Sequence, residues 1–159
     1  MLNKLKTLCG FLSAKIKENR EISDNSILVI DDSEIDRKIL ENILSKNFSK
    51  VFLAKDGQSG LNLAIKEKPD LIILDLIFHG SNMNGFNVLD ELNDCVETQY
   101  IPVIILTQDN SPLKIFESSD RAQEYLIKIK SEGKPVEPKS FIKRVKGVLK
   151  EFENERGVK

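Results

Sequence analysis

Five polar residues, each at or near the end of a short apolar segment, could act together: Asp31, Asp32, Asp75, Thr107 and Lys128. Three carboxylates in one place repel one another unless a cation is present. Mg²⁺ suits such a site, because it binds one or two carboxylates together with waters and phosphate oxygens. An ammonium group and a hydroxyl beside the cation would hold a tetrahedral phosphoryl anion. This residue set therefore predicts phosphoryl chemistry, provided that the fold brings the five together.

The apolar segments predict the elements that would do so. Five short runs indicate strands, at Ile27–Ile30, Val51–Ala54, Leu71–Leu74, Ile101–Leu106 and Tyr125–Ile129. Helical periodicity predicts five helices between and after them: one capped by Ser33 that carries Ile35, Ile39, Leu40, Ile43 and Leu44, one capped by Asp56, then Phe86–Leu92, Pro112–Ser119 and a last helix from Pro138. Alternating strands and helices are typical of a parallel sheet covered by helices on both faces. Ligands of such folds bind beyond the carboxyl ends of the strands.

Each residue also has an ordinary structural interpretation. An aspartate after a strand is commonly a helix cap or turn former, and a single lysine commonly faces solvent. The joint placement of the five at four strand ends is what favours a functional site. Asp70 is interpreted as a turn residue at the opposite end of its strand, and His79 as a surface residue without a second ligand.

Composition limits the function classes. The chain has 159 residues, of which 40% are hydrophobic and 31% charged, and a formal net charge of -1. These values indicate one globular domain with an appendage, and they do not favour nucleic-acid binding. The two cysteines, Cys9 and Cys95, and the single histidine offer no zinc spacing and argue against a disulfide scaffold. A cytoplasmic protein without a membrane span is expected.

Residues 1–26 are predicted to form an amphipathic helix and a polar linker near Glu21–Ser26. Apolar residues recur there at helical spacing, at Leu2, Leu5, Leu8, Cys9, Leu12 and Ile16. The apolar patch is too short for a signal peptide or a membrane span. Three interpretations stay open: packing on this protein or a partner, a loose tail, or binding to a membrane surface. The main domain is predicted over residues 27–153 and a tail over 154–159.

From about Ile27 to Leu149 the chain resembles a response regulator receiver domain of two-component signalling. The resemblance is carried by six segments in order: "ILVIDDSEIDR", "VFLAKDGQSGL", "PDLIILDL", "NGFNVLDEL", "IPVIILT" and "EYLIK". Asp75 follows Asp32 by 43 residues, and Lys128 follows Thr107 by 21, which fits the family. The implied fold is a flavodoxin-like, doubly wound, five-stranded parallel sheet with five helices, here with the additional N-terminal helix.

The resemblance also implies roles for individual residues. Asp75 would be the phosphoacceptor, with Asp31, Asp32, Asp75 and the backbone carbonyl of Ile77 as Mg²⁺ ligands. Thr107 would be the switch hydroxyl and Lys128 the phosphate-binding lysine. Tyr125 would be the aromatic residue that turns inward after the switch.

Two departures from the family pattern concern the loops. His79 stands where a proline is usual, and Gly85 lies ten residues after the phosphoacceptor rather than eight, so "HGSNMN" is interpreted as a two-residue insertion. Lys128 is followed by Ile129 instead of proline. Lys134–Pro135 is an alternative Lys-Pro pair, but its position favours Lys128 as the family lysine.

The resemblance implies a phosphoacceptor signalling domain rather than an enzyme. Its phosphodonor would be a histidine kinase or a histidine phosphotransfer protein. Because no further domain follows Lys159, a downstream protein partner is expected, and a homodimer is compatible with this interpretation. A receiver-like scaffold that no longer uses phosphate is the alternative. A flavin-binding protein is disfavoured, because "DDSEID" would repel a flavin phosphate.

The sequence also makes an expectation about the lifetime of the phosphorylated state. By the resemblance, Ile77 and Asp109 guard the path by which a water would reach phospho-Asp75. Ile77 would exclude water, whereas Asp109 could hold one. We expect exclusion to dominate and the phosphorylated state to be comparatively long-lived.

Overall fold

The computed structural model describes residues 22–79, 82–107, 127–128, 137–155 and 157. The strands within these ranges are β1 (Ser23–Ile30), β2 (Phe48–Ala54), β3 (Leu71–Asp75), β4 (Val103–Thr107) and β5 (Ile127–Lys128). The helices are α1 (Glu34–Leu44), α2 (Gly57–Glu67), α3 (Gly85–Asp94) and α4 (Pro138–Glu155). Among these helices, none has the length and apolar character needed to cross a bilayer.

The strands form one sheet in the order β2-β1-β3-β4-β5, and every neighbouring pair is parallel. The register pairs Ile30 with Leu74, Asp75 with Leu106, and Thr107 with Lys128. The carboxyl ends of these strands therefore share one edge of the sheet. The predicted parallel α/β fold is confirmed, and its winding reverses at β1, where ligand sites of such sheets occur.

Helices cover both faces of the sheet, because each central strand is apolar on both sides. On one face, Leu28, Ile30 and Ile72 pack with buried residues of α2 and α3. On the other, Val29 and Ile73 pack with buried residues of α1 and α4. The last helix buries Phe141, Val145, Val148 and Leu149. Its periodicity also predicts burial of Ile142 and Phe152, but these two are only partly buried.

Polar caps fix the starts of three helices. The Ser33 side chain accepts the backbone N–H of Asp36 at 3.2 Å, and the Asp56 carboxylate accepts that of Ser59 at 2.7 Å. Both caps agree with the sequence prediction. The third cap is a reciprocal pair, in which Asn84 and Asn87 each accept the other's backbone N–H. Such caps satisfy N–H groups that have no partner within the helix.

The structure corrects the predicted linker at Glu21–Ser26 over its last part. β1 begins at Ser23 rather than Ile27, and Ser23 and Ser26 pair with Phe48 and Lys50 of β2. The polar residues of this stretch hid a strand because it lies at the amino end of the sheet, where Ser23 and Ser26 are only partly buried.

The prediction for α1 was also too broad. Leu40 and Leu44 are buried, but Ile35 is 72% and Ile39 44% exposed. The other helices in the described residues begin and end close to their predicted bounds. The N-terminal helix and the helix at Pro112–Ser119 lie outside the described residues, so both stay predictions.

Candidate functional site

Three aspartates meet at the carboxyl edge of the sheet. Asp31 and Asp32 directly follow β1, and Asp75 is the last residue of β3. One carboxylate oxygen from each lies within 4.8 Å of the other two. Asp31 is buried, whereas Asp32 and Asp75 are partly buried. Because β1 and β3 are hydrogen-bonded neighbours, the sheet itself sets these distances.

Asp31 is held in place from two sides. Its carboxylate accepts the backbone N–H of Ser33 at 2.7 Å, and its backbone carbonyl accepts a guanidinium N–H of Arg37 at 2.6 Å. Burial raises the pKa of the Asp31 carboxyl to about 6, although the hydrogen bond from Ser33 opposes that rise. The contact with Arg37 was not predicted from the sequence, because an arginine in the first turns of a helix has many exposed alternatives.

Asp75 has the more strongly perturbed carboxyl. Burial raises its pKa to about 7, the charges of Asp31 and Asp32 add to the rise, and a hydrogen bond from the Ile77 N–H opposes it. That bond spans 3.1 Å to Oδ1 and fixes the rotation of the carboxylate. A carboxyl with this pKa lies at the border between its neutral and ionised forms at pH 7, which is unusual for an aspartate.

Asp32 is linked to the loop that follows β3. The backbone N–H of His79 donates to Asp32 Oδ2 at 2.6 Å, and His79 Nδ1 lies 3.2 Å from the same oxygen. The His79 side chain is 84% exposed, in agreement with its surface interpretation. The interpretation was nevertheless incomplete, because His79 contacts a candidate metal ligand. A proline at this position, as the resemblance leads one to expect, has no N–H to donate.

Gly85 brings the start of α3 close to the backbone at Asp75. Its N–H donates to the Leu76 carbonyl at 3.1 Å. A Cβ at Gly85 would lie 2.2 Å from the Asp75 carbonyl oxygen and 2.4 Å from the Leu76 Cα. Only glycine fits this approach. The glycine that the family pattern places eight residues after the phosphoacceptor therefore has its counterpart at Gly85, which supports the interpretation of a lengthened loop.

The other candidate residues are placed only in part. The backbones of Thr107 and Lys128 pair at the ends of β4 and β5, on the same edge as the three aspartates. Tyr125 and Asp109 lie outside the described residues. Ile77, the candidate carbonyl ligand, is 36% exposed, and the neighbouring Leu76 and Phe78 are buried.

The three carboxylates fit a hard divalent cation. They are all oxygen donors, they lie within 4.8 Å of one another, and burial disfavours the ionised forms of two of them. A cation would remove both the mutual repulsion and much of the desolvation cost. Mg²⁺ and Ca²⁺ take such ligands, and Mg²⁺ needs only one or two direct carboxylates.

Comparison with known proteins agrees with this fold. Residues 27–146 match the sequence model of the family described as the response regulator receiver domain. Protein PilH of Pseudomonas aeruginosa is 35% identical over 124 residues, which cover 77% of this chain and 96% of PilH. The response regulator PleD of Caulobacter vibrioides is 40% identical over 81 residues, which are 51% of this chain but only 17% of PleD.

A solved structure shows the same architecture. The chemotaxis protein CheY4 of Vibrio cholerae superposes with a TM-score of 0.65 at 26% sequence identity. The match covers 80% of this chain and 98% of CheY4.

Proposed function

This chain belongs to the response regulator receiver domain family, and we propose that it accepts a phosphoryl group on Asp75. The donor would be a histidine kinase or a histidine phosphotransfer protein. The observation that supports this proposal most is the convergence of the Asp31, Asp32 and Asp75 carboxylates within 4.8 Å at the end of the central strands. The chain takes part in response regulator signalling, and it acts as a signalling domain rather than as an enzyme with a separate substrate.

Asp75 would be the nucleophile. A carboxylate oxygen of Asp75 forms a bond to phosphorus while the P–N bond to the donor histidine breaks. The imidazole leaves with the electron pair and is protonated, and Asp75 becomes an acyl phosphate. The hydrogen bond from the Ile77 N–H keeps the carboxylate oriented toward the donor.

The acidic site would hold Mg²⁺ through Asp31, Asp32 and Asp75, with the carbonyl of Ile77 as the further ligand that the resemblance implies. Bound Mg²⁺ would favour the ionised form of Asp75 and neutralise negative charge on the phosphoryl oxygens. Asp32 keeps its position through the two contacts with His79. Asp31 is fixed by Ser33 and by its place directly after β1.

Thr107 and Lys128 would bind the phosphoryl group from the side of β4 and β5. Their roles rest on the family resemblance, and the register of β4 and β5 is compatible with them. Lys128 would neutralise a phosphoryl oxygen, and Thr107 would donate a hydrogen bond to another. Tyr125 would then turn inward, and a partner would bind the altered surface. Such a switch requires two conformations of similar free energy, between which the phosphoryl group discriminates.

Further features of the proposal are less specific to the site. We also propose that the protein is cytoplasmic, in agreement with the absence of a predicted disulfide. A downstream protein partner is a further part of the proposal. A homodimer is compatible with the proposal. Nucleic-acid binding is not part of it, because the net charge of -1 offers no basic surface excess.

Labelling by a small phosphodonor tests the proposal. Full-length protein is incubated with acetyl phosphate, with Mg²⁺ or with EDTA, and the gain of one phosphoryl group is measured by intact-protein mass spectrometry. We expect labelling that requires Mg²⁺ and is abolished in Asp75→Asn, whose amide is a poor nucleophile. Asp24→Asn, which changes an exposed carboxylate at the other end of β1, is the control and should be labelled like the wild type.

Undiminished labelling of Asp75→Asn would place the acceptor elsewhere. Absence of labelling in the wild type, with Mg²⁺ binding also absent, would favour the phosphate-independent scaffold instead.

A further inference from the structure

A concave surface lies at the opposite end of the sheet from the acidic site. We name it the basal groove; it has a volume of about 690 Å³ and is lined by residues that include Asn25, Lys68, Asp70, Ile101 and Phe152. Asn25 is at the start of β1, Asp70 precedes β3, and Ile101 precedes β4. At about 3.3 Å per residue, strands of this length separate the groove from the acidic site by roughly 16 to 26 Å.

The basal groove combines an apolar floor with an acidic rim. Leu149 and Phe152 of α4 line it together with Ile101 and Pro102. Asp70, Glu97 and Glu153 add three carboxylates, against a single cation, Lys68, among its lining residues. Its volume lies within the range of about 300–1,000 Å³ that is usual for binding pockets. The groove is large enough for several aliphatic side chains but not for a whole helix.

The chain enters β1 beside this groove. Ile22, the residue before β1, is 57% exposed. Asn25, three residues further on, lines the groove, and its side-chain amide donates to Glu153 of α4 at 3.5 Å. The 21 residues that precede Ile22 are therefore attached at the groove's edge. Since an extended chain spans at most about 3.3–3.6 Å per residue, the six residues 17–22 give a reach of roughly 20 Å.

The first 16 residues have the pattern that this groove would bind. At 100° per residue, the apolar residues fall on one stripe of a helix, and three lysines lie about 80–100° from its centre, on its two flanks. The stripe consists of Leu2, Leu5, Leu8, Leu12 and Ile16. The flanking lysines are Lys4 and Lys15 on one side and Lys6 on the other. Residues 1–21 contain five basic residues and two acidic ones. Apolar side chains would meet the floor, and lysines on both flanks would meet the acidic rim.

From this complementarity we propose that residues 2–16 form a helix that docks its leucine stripe into the basal groove of the same chain. The tether makes this segment the favoured occupant, because attachment at β1 gives it a high effective concentration at the groove. The docked helix would cover the apolar floor at the amino end of the sheet and leave the phosphoacceptor edge open. The inference does not depend on phosphorylation of Asp75.

A spin label on the segment tests the docking in the full-length chain. Thr7 lies opposite the leucine stripe, so Thr7→Cys can carry a nitroxide without entering the groove; Cys9→Ala and Cys95→Ser remove the native thiols. Amide resonances are compared with the label oxidised and reduced. We expect Lys68, Ile101 and Phe152 to lose most of their intensity, and residues at the acidic site, such as Ile77, to keep theirs.

Two double variants and one control test which contacts the docking requires. Leu8→Asp with Leu12→Asp should abolish the selective loss of intensity, because the charged stripe can no longer enter an apolar floor. Glu97→Lys with Glu153→Lys should weaken it, whereas Glu41→Lys, which changes an exposed residue of α1, should leave it unchanged.

Equal intensity loss at both ends of the sheet, or none at the groove, would overturn the proposal. A second sample distinguishes docking within one chain from docking between two. It mixes spin-labelled ¹⁴N protein with ¹⁵N protein that carries no spin label, so only contacts between chains can broaden the observed resonances. Broadening of groove resonances in that mixture would mean that a second copy supplies the helix, which would also overturn the proposal.

Discussion

The raised pKa of Asp75 makes a prediction about stability that requires no phosphodonor. Replacing Asp75 by Asn removes an ionisable group whose charged form is disfavoured by burial and by the neighbouring Asp31 and Asp32. Without a divalent cation, Asp75→Asn should therefore be more stable than the wild type at alkaline pH. The gain should disappear in acid, where both chains carry a neutral side chain at this position.

The magnitude follows from the two proton affinities. A tenfold change in proton affinity corresponds to about 1.4 kcal/mol. The pKa of Asp75 is about 7 in the folded protein, against an ordinary value of 3.8, so ionisation costs the folded state up to about 4 kcal/mol. Because Asp75 is only partly buried and water screens part of its charge, we expect about half of that, or about 2 kcal/mol.

The pH window has a defined sign. Below about pH 3, the folded protein and most of the unfolded chain both keep the proton on Asp75, so the contribution is small. Between pH 4 and pH 7 the unfolded chain releases this proton first, so the folded wild type loses stability as the pH rises. Above pH 7 the loss is complete. The pKa of Asp31 is also raised, to about 6. Its ionisation therefore lowers the stability of the wild type and of Asp75→Asn alike as the pH rises.

Urea unfolding in EDTA at pH 4.5 and pH 8 measures this effect. We expect Asp75→Asn to exceed the wild type by about 2 kcal/mol at pH 8 and by much less at pH 4.5. Asp24→Asn is the matched control and should differ little from the wild type at either pH. Saturating Mg²⁺ at pH 8 should stabilise the wild type more than the variant. A gain that is equal at both pH values, or a variant less stable at pH 8, would refute the reasoning.

Substitutions at three positions, His79, Gly85 and Ile77, test the neighbourhood of the site. His79→Ala keeps the N–H that binds Asp32 and removes the ring, whereas His79→Pro removes both contacts; we expect Mg²⁺ affinity, measured by calorimetry, to change more in His79→Pro. Gly85→Ala should destabilise the fold by about 1–3 kcal/mol through overpacking, whereas Gly147→Ala, with nothing within 4 Å of the added Cβ, should stabilise α4 by about 0.5–1 kcal/mol. Ile77→Asn should speed loss of the phosphoryl group, followed by mass spectrometry, because a polar side chain admits and orients water.

Each of these has an outcome that contradicts it. Equal Mg²⁺ affinities of His79→Ala and His79→Pro would mean that the backbone contact with Asp32 does not position it. If Gly85→Ala unfolds at the same urea concentration as the wild type, the close approach of Gly85 to the Asp75 backbone does not require a glycine. An unchanged or slower dephosphorylation rate in Ile77→Asn would remove Ile77 as a barrier to water.

The central part of the fold could be predicted because its signals are strong and local. Leu71–Leu74 is an unbroken apolar run, and the structure buries all four residues on two faces. The same holds for Ile27–Ile30. Aspartates directly after such strands have little freedom to lie elsewhere, so the meeting of Asp31 and Asp75 follows from the parallel pairing of β1 with β3.

Predictions of burial and of strand bounds were less accurate where a residue's type does not match its environment in the fold. Ile35 and Leu40 lie about 140° apart around α1, at 100° per residue, so a helix that packs one stripe against the sheet buries Leu40 and exposes Ile35. Helical periodicity shows which apolar residues share a stripe of the helix, but not which of two neighbouring stripes faces the core. Similarly, Ser23 and Ser26 look like a linker, although their backbones pair with β2.

The contact of His79 with Asp32 could not be predicted, because it depends on the path of the loop after β3. The sequence offered one clue, namely that a histidine replaces the expected proline and can donate its N–H. The Gly85 approach was easier to anticipate, since a glycine near this position belongs to the family pattern and the structure shows why no Cβ fits.

The most direct test of the account is to locate the phosphoryl group in the wild-type protein. After Mg²⁺-dependent labelling with acetyl phosphate, borohydride reduces an aspartyl phosphate to homoserine, which peptide mass spectrometry assigns to one position. The account predicts homoserine at residue 75 and unmodified aspartate at residues 31 and 32. Homoserine at either of those residues, or a phosphoryl group that resists borohydride because it sits on a hydroxyl, would contradict it.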